Sequence, residues 1–371
     1  MPSSQYFTSL SKESKNLFLF IQKKGPLTKK FISETLNIKL TTLNRLLKPL
    51  FELNLLQVTD YISQTGGRPS GLIDVNPMHY GFIGLDISRL YMNIIFTNLK
   101  LDILHQTQLT VDSSMTPRRL IQELNQFIQD IQQTYKTSHP ELLGIGIGCV
   151  GPIDEDTGYL LHPERFPSSH FDHIDLRVTI ANATGFDTYI ASGSQLALLA
   201  EVTFGVGKDH NHVAYINLGE GIRNSTAIHG NLLSMHDSHE DAFSKMQLTH
   251  NKTIDDYASL FSLRKTCSTN TKKAHTIIST TPLLNDQLIN AAEMTAIGLS
   301  NYIRLLSLDC VILSGPMIKE SNLFYETLYD KTLEYLKSTP HLHVSFSRGG
   351  SFDHNSIALG SAYHLGLQLF L

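Results

Sequence analysis

Two stretches of this chain, about 130 residues apart, follow the same pattern, and such a repeat restricts the fold more than any single motif. In the first, the apolar run Gly81–Asp86 ends in a carboxylate. A second run, Met92–Phe96, follows, then a polar turn at Asn98-Leu99-Lys100 and a third run over Leu101–Leu109. In the second, Val213–Leu218 leads into Gly219-Glu220-Gly221, then Ser225–Ile228 and a turn at His229-Gly230-Asn231. Each copy is trailed by sequence of helical period, Pro117–Tyr135 and Asn290–Leu306. Short apolar runs closed by tight turns read as strands, and longer amphipathic runs as helices. The repeat predicts a duplicated α/β unit whose halves, 77–195 and 196–371, face each other across a crevice.

The first 76 residues belong to neither copy. Ser14–Lys24 puts Leu17, Phe18, Phe20 and Ile21 on one side and stops at Gly25-Pro26. Thr28 is placed to cap a short helix over Lys29–Leu36, with Phe31, Ile32 and Leu36 turned inward. After a break at Asn37-Ile38, a third helix starts near Thr41, and Leu43, Leu46, Leu47 and Leu50 recur on one face. Pro49 predicts a bend or an early end near Lys48. Leu55–Asp60 and Leu72–Val75 then read as two strands of a wing. This is the layout of a winged helix-turn-helix over residues 1–64, in which the third helix enters the major groove of duplex DNA. Its outer face offers Thr41, Thr42, Asn44, Arg45 and Lys48. Arg45 suits guanine and Asn44 adenine, while Lys39, Lys48 and the threonines suit phosphate. Thr28 and Lys29, opening the preceding helix, complete the candidate contacts on the helices. Three-helix units with exposed lysines also occur in proteins that never touch nucleic acid, so the helices alone do not decide.

Charge points the same way. Residues 1–76 carry ten cations against five anions, a net of +5, which leaves −9 on the remainder of a chain whose formal total is −4. A positive head on a negative body suits a polyanion at one end only. Residues 65–76 hold the joint Thr65-Gly66-Gly67-Arg68-Pro69-Ser70, in which glycines free the backbone, Pro69 stiffens it and one cation projects. Gly67, Arg68 and Pro69 can lay an arginine in a narrow minor groove, and the same residues also suit a plain linker or wing end. The 371 residues, 41% hydrophobic and 17% charged, are those of a soluble globular protein. No apolar run is long enough to span a membrane, and the polar start Met1–Leu10 does not read as a signal peptide. Cys149, Cys267 and Cys310, scattered and odd in number, argue against a disulfide framework and for a cytoplasmic setting.

A series of short motifs runs through most of the chain. Gly67-Arg68-Pro69 precedes Ile73-Asp74-Val75-Asn76-Pro77, and Gly84-Leu85-Asp86-Ile87 follows. Next come Gly144–Gly148, spaced Gly-x-Gly-x-Gly, and Gly151-Pro152-Ile153-Asp154 with Gly158. Leu218-Gly219-Glu220-Gly221, Gly230-Asn231-Leu232, Leu313-Ser314-Gly315 and Ala358–Ala362 complete the order. Over about 300 residues this series resembles the ROK family of repressors, open reading frames and kinases, and specifically its repressor branch. The resemblance implies a multidomain α/β protein, a winged helix-turn-helix followed by a duplicated actin-like, ribonuclease H-like ATPase-type fold. It implies a homodimer or tetramer on an inverted-repeat operator in double-stranded DNA, regulating carbohydrate genes in answer to a sugar-like effector.

The chemistry that the resemblance implies is largely missing. The family's kinases place an Asn-Asp pair, its Asp the catalytic base, just before Ala197–Glu201; here stand Ser192 and Gly193. Their first phosphate turn is built of small glycines, where this chain has Ser88-Arg89-Leu90. Their structural zinc needs a histidine, here Lys245, and a cysteine loop, of which Thr253 takes one position. The aligned sugar-contacting positions read Ser192, Gly193, Ala242, Lys245 and Asp255, and with Glu164 four of these (Ser192, Gly193, Lys245 and Asp255) form the candidate effector cleft. The expectation is a chain without catalysis, cofactor or metal, its effector atypical or absent. His236, His239 and Glu240, or His210 and His212, read as polar surface loops in a chain with 17 histidines. Leu263–Thr281 reads as a polar excursion with no assigned role. Two further readings stand beside DNA regulation: a protein-binding body, and a diverged sugar kinase using another base.

Overall fold

The repeated pattern becomes two five-stranded mixed sheets with matching strand order. A computed structural model of the chain describes residues 7–62, 70–135, 140–154, 157–233, 240–266 and 284–370. The expected Arg68 arm, with Gly67 and Pro69, lies outside the described residues, as do His236 and His239.

The head comprises α1 (Lys12–Lys24), β1 (Leu27–Thr28), α2 (Lys29–Thr35), α3 (Leu40–Glu52), β2 (Leu56–Ile62) and β3 (Ser70–Val75). Its sheet runs β1-β3-β2, so the wing gains a third, two-residue strand that the sequence pattern did not suggest. Leu43, Leu46, Leu47 and Leu50 of α3 are buried, as their spacing requires. One expectation fails here, and one of the two outcomes expected of Pro49 does. Of the three residues turned inward on α2, only Ile32 is buried; Phe31 is 49% and Leu36 36% exposed, because α2 is too short to bury more than one stripe. Pro49 does not end α3, which continues to Glu52. Proline removes one backbone donor near the helix's last turn, and the buried leucines around it hold the turn in place. The described part of the stretch expected as a linker or wing end is β3 itself, paired on both sides.

The first half of the body holds β4 (Tyr80–Ile87), β5 (Tyr91–Asn98), β6 (Ile103–Thr110), α4 (Pro117–Thr134) and β7 (Glu141–Cys149). A small sheet of β8 (Ile153–Asp154), β9 (Tyr159–Leu160) and β10 (Ile174–Asp175) follows, then α5 (Leu176–Thr184) and β11 (Thr188–Ser192). After α6 (Gly193–Thr203), the second half begins with β12 (His212–Leu218), β13 (Ile222–Ile228) and β14 (Asn231–Leu232). It continues with β15 (Gln247–Thr249), β16 (Lys252–Thr253), α7 (Ile254–Ala258), α8 (Leu260–Thr266) and α9 (Leu284–Leu306). The chain closes with β17 (Cys310–Ser314), α10 (Pro316–Glu320), α11 (Asn322–Leu336), β18 (Ser345–Arg348) and α12 (Ser356–Phe370). Leu263, at the start of the expected polar excursion, is a buried residue of α8, while 267–283 lie outside the described residues.

The orders are β6-β5-β4-β7-β11 and β14-β13-β12-β17-β18, an antiparallel meander extended by two parallel strands in each case. Strand β4 is buried at every residue because both faces are covered. Ile83, Leu85 and Ile87 meet Leu120, Leu124 and Phe127 of α4 on one face. The opposite face carries glycines, and α12 lies on them. A Cβ at Gly84 would stand 2.0 Å from the Ala358 carbonyl oxygen, and one at Gly146 1.9 Å from that of Ser361. The Gly-x-Gly-x-Gly run is thus a seat for the last helix, which closes the first sheet although it ends the second half of the sequence.

Helix α12 also reaches the head. Phe370 packs its ring 4.7 Å from that of Phe7 and 4.3 Å from that of Phe18, in one cluster with Ile21, Tyr80, Phe82 and Leu369. Gln22 donates to the Leu99 carbonyl at 2.7 Å, and Lys100 meets the buried Asp74 at 2.7 Å. The head shares its core with the body. Among the described residues no helix is long and apolar enough to cross a membrane.

Candidate nucleic-acid interface and crevice

In the head, Thr28 spends its hydroxyl on capping α2, accepting from the Phe31 amide at 3.2 Å. That cap fixes where α2 starts and therefore where α3 crosses it. On α3, Thr41, Asn44, Arg45 and Lys48 are exposed, Thr42 is half-buried, and Lys39 is the exposed residue just before the helix. Lys29 donates to the Asn44 side-chain oxygen at 2.7 Å, so two candidate contacts hold each other on the surface. Lys48 lies 3.7 Å from Glu52, an exposed pair of the kind that adds little stability and yields readily to a stronger anion. Leu40, the first residue of α3, is 52% exposed and was not singled out by its sequence, since a leucine at a helix start reads as core.

The five cleft candidates separate into three positions. Gly193 opens α6 and lines a void of about 70 Å³ together with Asp86, Arg89, Cys149, Arg223 and Glu240. Glu164, Lys245 and Asp255 line a second, smaller void that shares Arg89, Gly221 and Arg223 with the first. Ser192 reaches neither: it is fully buried and donates its hydroxyl to the Glu240 carboxylate. Glu240 is therefore a buried residue and does not belong to a polar surface loop. Among the described residues no group of three or more side chains could hold a metal; His210 sits 3.7 Å from Asp309, and His212 bonds the Leu306 carbonyl.

Ion pairs occupy much of the crevice. Arg165 holds Asp255 through both carboxylate oxygens, at 3.2 and 2.5 Å, and stacks 4.3 Å over the Phe261 ring. Arg264 clamps Glu220 in the same forked way. Lys245 lies 3.9 Å from Glu164 and 3.7 Å from Asp241. Arg165 and Arg264, and the pairing of Glu220, went unnoticed in the sequence because partners 44 and 90 residues apart leave no local pattern. The loop before α12 is pinned by the buried Glu201, which accepts from the Ser351 amide at 2.9 Å and from that of Phe352 at 3.2 Å. Ile357, one residue into α12, borders the first void.

Burial pushes the Asp86 carboxyl up to about 7, against a hydrogen bond from Ser88 and aided by the charge of Glu240. Burial raises Glu240 as well, and the Cys149 thiol well above its usual value. An acid raised in the folded state favours folding below its unfolded pKa, and that advantage is lost as pH climbs toward the folded value. The stability that Asp86 contributes should therefore fall between about pH 4 and 7. Asp86→Asn keeps an acceptor for Ser88 and should be the more stable protein at neutral pH by about 4 kcal/mol, with little difference near pH 4. Urea unfolding across that range measures it, and parallel curves for the two proteins would contradict the assignment.

The sequence profile described as the ROK family matches residues 82–365. The xylose repressor of Bacillus subtilis (strain 168) is 24% identical over 367 residues, covering 94% of this chain and 91% of that protein. The xylose repressor of Caldicellulosiruptor bescii is 25% identical over 191 residues; the match takes in 52% of this chain and about half, 47%, of that relative's length. The crystal structure of a ROK family transcriptional regulator, a homologue of the E. coli MLC protein, superposes with a TM-score of 0.76 at 16% identity, over 96% of each chain. The ROK hexokinase from Thermus thermophilus superposes with a TM-score of 0.62 at 16% identity, over 78% of this chain and 99% of its own. The body thus has the actin-like α/β fold seen in both the regulators and the kinases. From Phe82 in β4 to Leu365 in α12 the profile takes in both sheets, and the chain is a member of the ROK family.

Proposed function

We propose that this chain is a transcriptional regulator, a repressor of carbohydrate-related genes that reads an inverted-repeat operator as a dimer or tetramer. The observation that carries the reading is helix α3. Four buried leucines fix it in the head's core, and the opposite side presents Thr41, Asn44, Arg45 and Lys48 to solvent. That arrangement suits a recognition helix, and the +5 charge of residues 1–76 suits the phosphates beside it. Similarity over nearly the full chain to a xylose repressor, and superposition on a ROK regulator that includes the head, support the same reading. The body has no carboxylate at 193 to act as a base, and the turn after β4 carries Arg89 where the family's kinases have glycine, which favours a regulator without catalysis.

A gel shift on the gene's own upstream region, across a salt series, tests this; binding without sequence preference would remove the specific-regulator claim. Arg45→Ala should relax preference at one major-groove base pair and weaken the operator complex by about 1–3 kcal/mol. An unchanged binding profile across single-base operator variants would exclude Arg45 from readout. One feature favours a second reading: Glu240 puts a carboxylate on the void beside Gly193. Sugar-dependent ATP turnover abolished by Glu240→Gln would establish that enzyme.

A further inference from the structure

We infer that Leu40 is a base reader: it receives the methyl group of a thymine in the major groove, within about two base pairs of the adenine that suits Asn44. This rests on the reading of the chain as a DNA-binding regulator, and it names a base atom that the operator must supply.

Among the described residues of the head, Leu40 is the most exposed large apolar side chain, at 52%, ahead of Phe31, Val58 and Leu36. It opens α3, and the core side of that helix is already filled by Leu43, Leu46, Leu47 and Leu50. A leucine in that place neither packs nor caps, since its side chain has no hydrogen-bonding atom. Single exposed leucines are ordinary on protein surfaces, and position sets this one apart. In a helix-turn-helix the N-terminal residues of the later helix are the ones that meet base edges. Here the turn that aims them is fixed. Asn37 takes a left-handed φ of 51°, the Ile38 amide donates to the Ser33 carbonyl at 3.0 Å, and the Ser33 hydroxyl donates to the Ile38 carbonyl at 2.6 Å.

The neighbours define what Leu40 meets. Leu40 and Asn44, four residues apart, share one stripe of the helix, and Lys29 holds the Asn44 side chain at 2.7 Å. Four residues of helix advance about 6 Å and one base step about 3.4 Å, so the two side chains address pairs no more than about two steps apart. Of the groups on major-groove base edges, the thymine methyl is the apolar one, and a leucine can make no hydrogen bond to the others. Burying that methyl against Leu40 corresponds to about fourfold in affinity.

The test uses the full-length protein and duplexes that the wild type itself selects from a random pool. Each thymine is replaced in turn by deoxyuridine, which differs only in lacking the methyl. At one thymine per half-site the wild type should lose about fourfold in affinity, and Leu40→Ala should bind the two duplexes equally. Leu40→Met, which restores an apolar contact, should regain the preference for thymine. The side chain lies outside the core, so both variants should melt within about 2 °C of the wild type. If Leu40→Ala unfolds early, Leu40→Met against Leu40→Gln, similar in length and opposite in polarity, decides in its place: Met should keep the preference and Gln lose it. Equal affinity of the wild type for every thymine and deoxyuridine pair overturns the assignment. So does a thymine preference that survives in Leu40→Ala; a smaller oligomer in that variant would then place the leucine between copies of the chain. A pool that never enriches sinks the regulator reading itself, whereas enrichment without a methyl effect sinks the role of Leu40 alone and leaves that reading standing.

Discussion

Gly146→Val should abolish the cooperative fold of the body. The added Cβ would stand 1.9 Å from the Ser361 carbonyl oxygen and 2.5 Å from its carbon, both backbone atoms of α12 that no rotamer change can move. The helix would have to lift from the sheet, and Gly360 allows no escape toward α6, since a Cβ there would meet the Leu196 oxygen at 1.9 Å. Effects above about 4–5 kcal/mol are exceptional for single substitutions, and this one belongs among them, against a total stability of about 5–15 kcal/mol. Thermal unfolding should show a loss of the main transition or a fall of about 10 °C or more. Gly185→Ala is the control: nothing lies within 4 Å of its added carbon, so only the left-handed φ of +77° is disturbed, at about 1 kcal/mol. Near-wild-type melting of Gly146→Val would mean that α12 is not seated on the sheet.

Phe370→Ala should cost about 3–5 kcal/mol, the range for deleting a buried aromatic ring. The loss is local in kind: Phe370 touches Phe7 and Phe18, so the cavity opens where the head meets the body. The variant should expose the head to limited proteolysis before the body unfolds, and on the proposed role operator affinity should fall although no exposed residue of α3 has changed. Helix α12 spans roughly 22 Å over its 15 residues, from Ile357 on the crevice to Phe370 under the head. A ligand that shifts its first turn therefore acts on a rigid element whose far end lies under the head, provided it favours one placement over the other. Phe370→Ala should thus keep crevice binding while weakening the response of operator affinity to the ligand. Proteolysis and operator affinity both unchanged would show that the aromatic contact does not join the two parts.

Periodic features were legible in the sequence. Leu43, Leu46, Leu47 and Leu50 gave α3, and the repeated strand pattern gave the paired meanders, because burial of one face imposes a spacing on neighbouring residues. Exposure on α2 was not legible: Phe31 looks like a core residue, and only the packing of neighbouring elements determines that it is half in water. The crevice was least legible. Gly193 and Arg89 stood out as departures from a known pattern, yet Arg165, Arg264 and Glu220 take their meaning from partners far along the chain. The glycine run over 144–148 was noticed as a signature, but the closing helix pressed against it could not be read from the run itself.

The aromatic contact under the head also limits modularity. A graft of residues 1–76 onto a foreign scaffold would strip Phe7 and Phe18 of the Phe370 ring, with Gln22 deprived of the Leu99 carbonyl and Asp74 of Lys100. On the DNA-reading role proposed for α3, specificity is thus not a detachable cassette: new operator preferences would have to be engineered on α3 in place, with the native chassis beneath it.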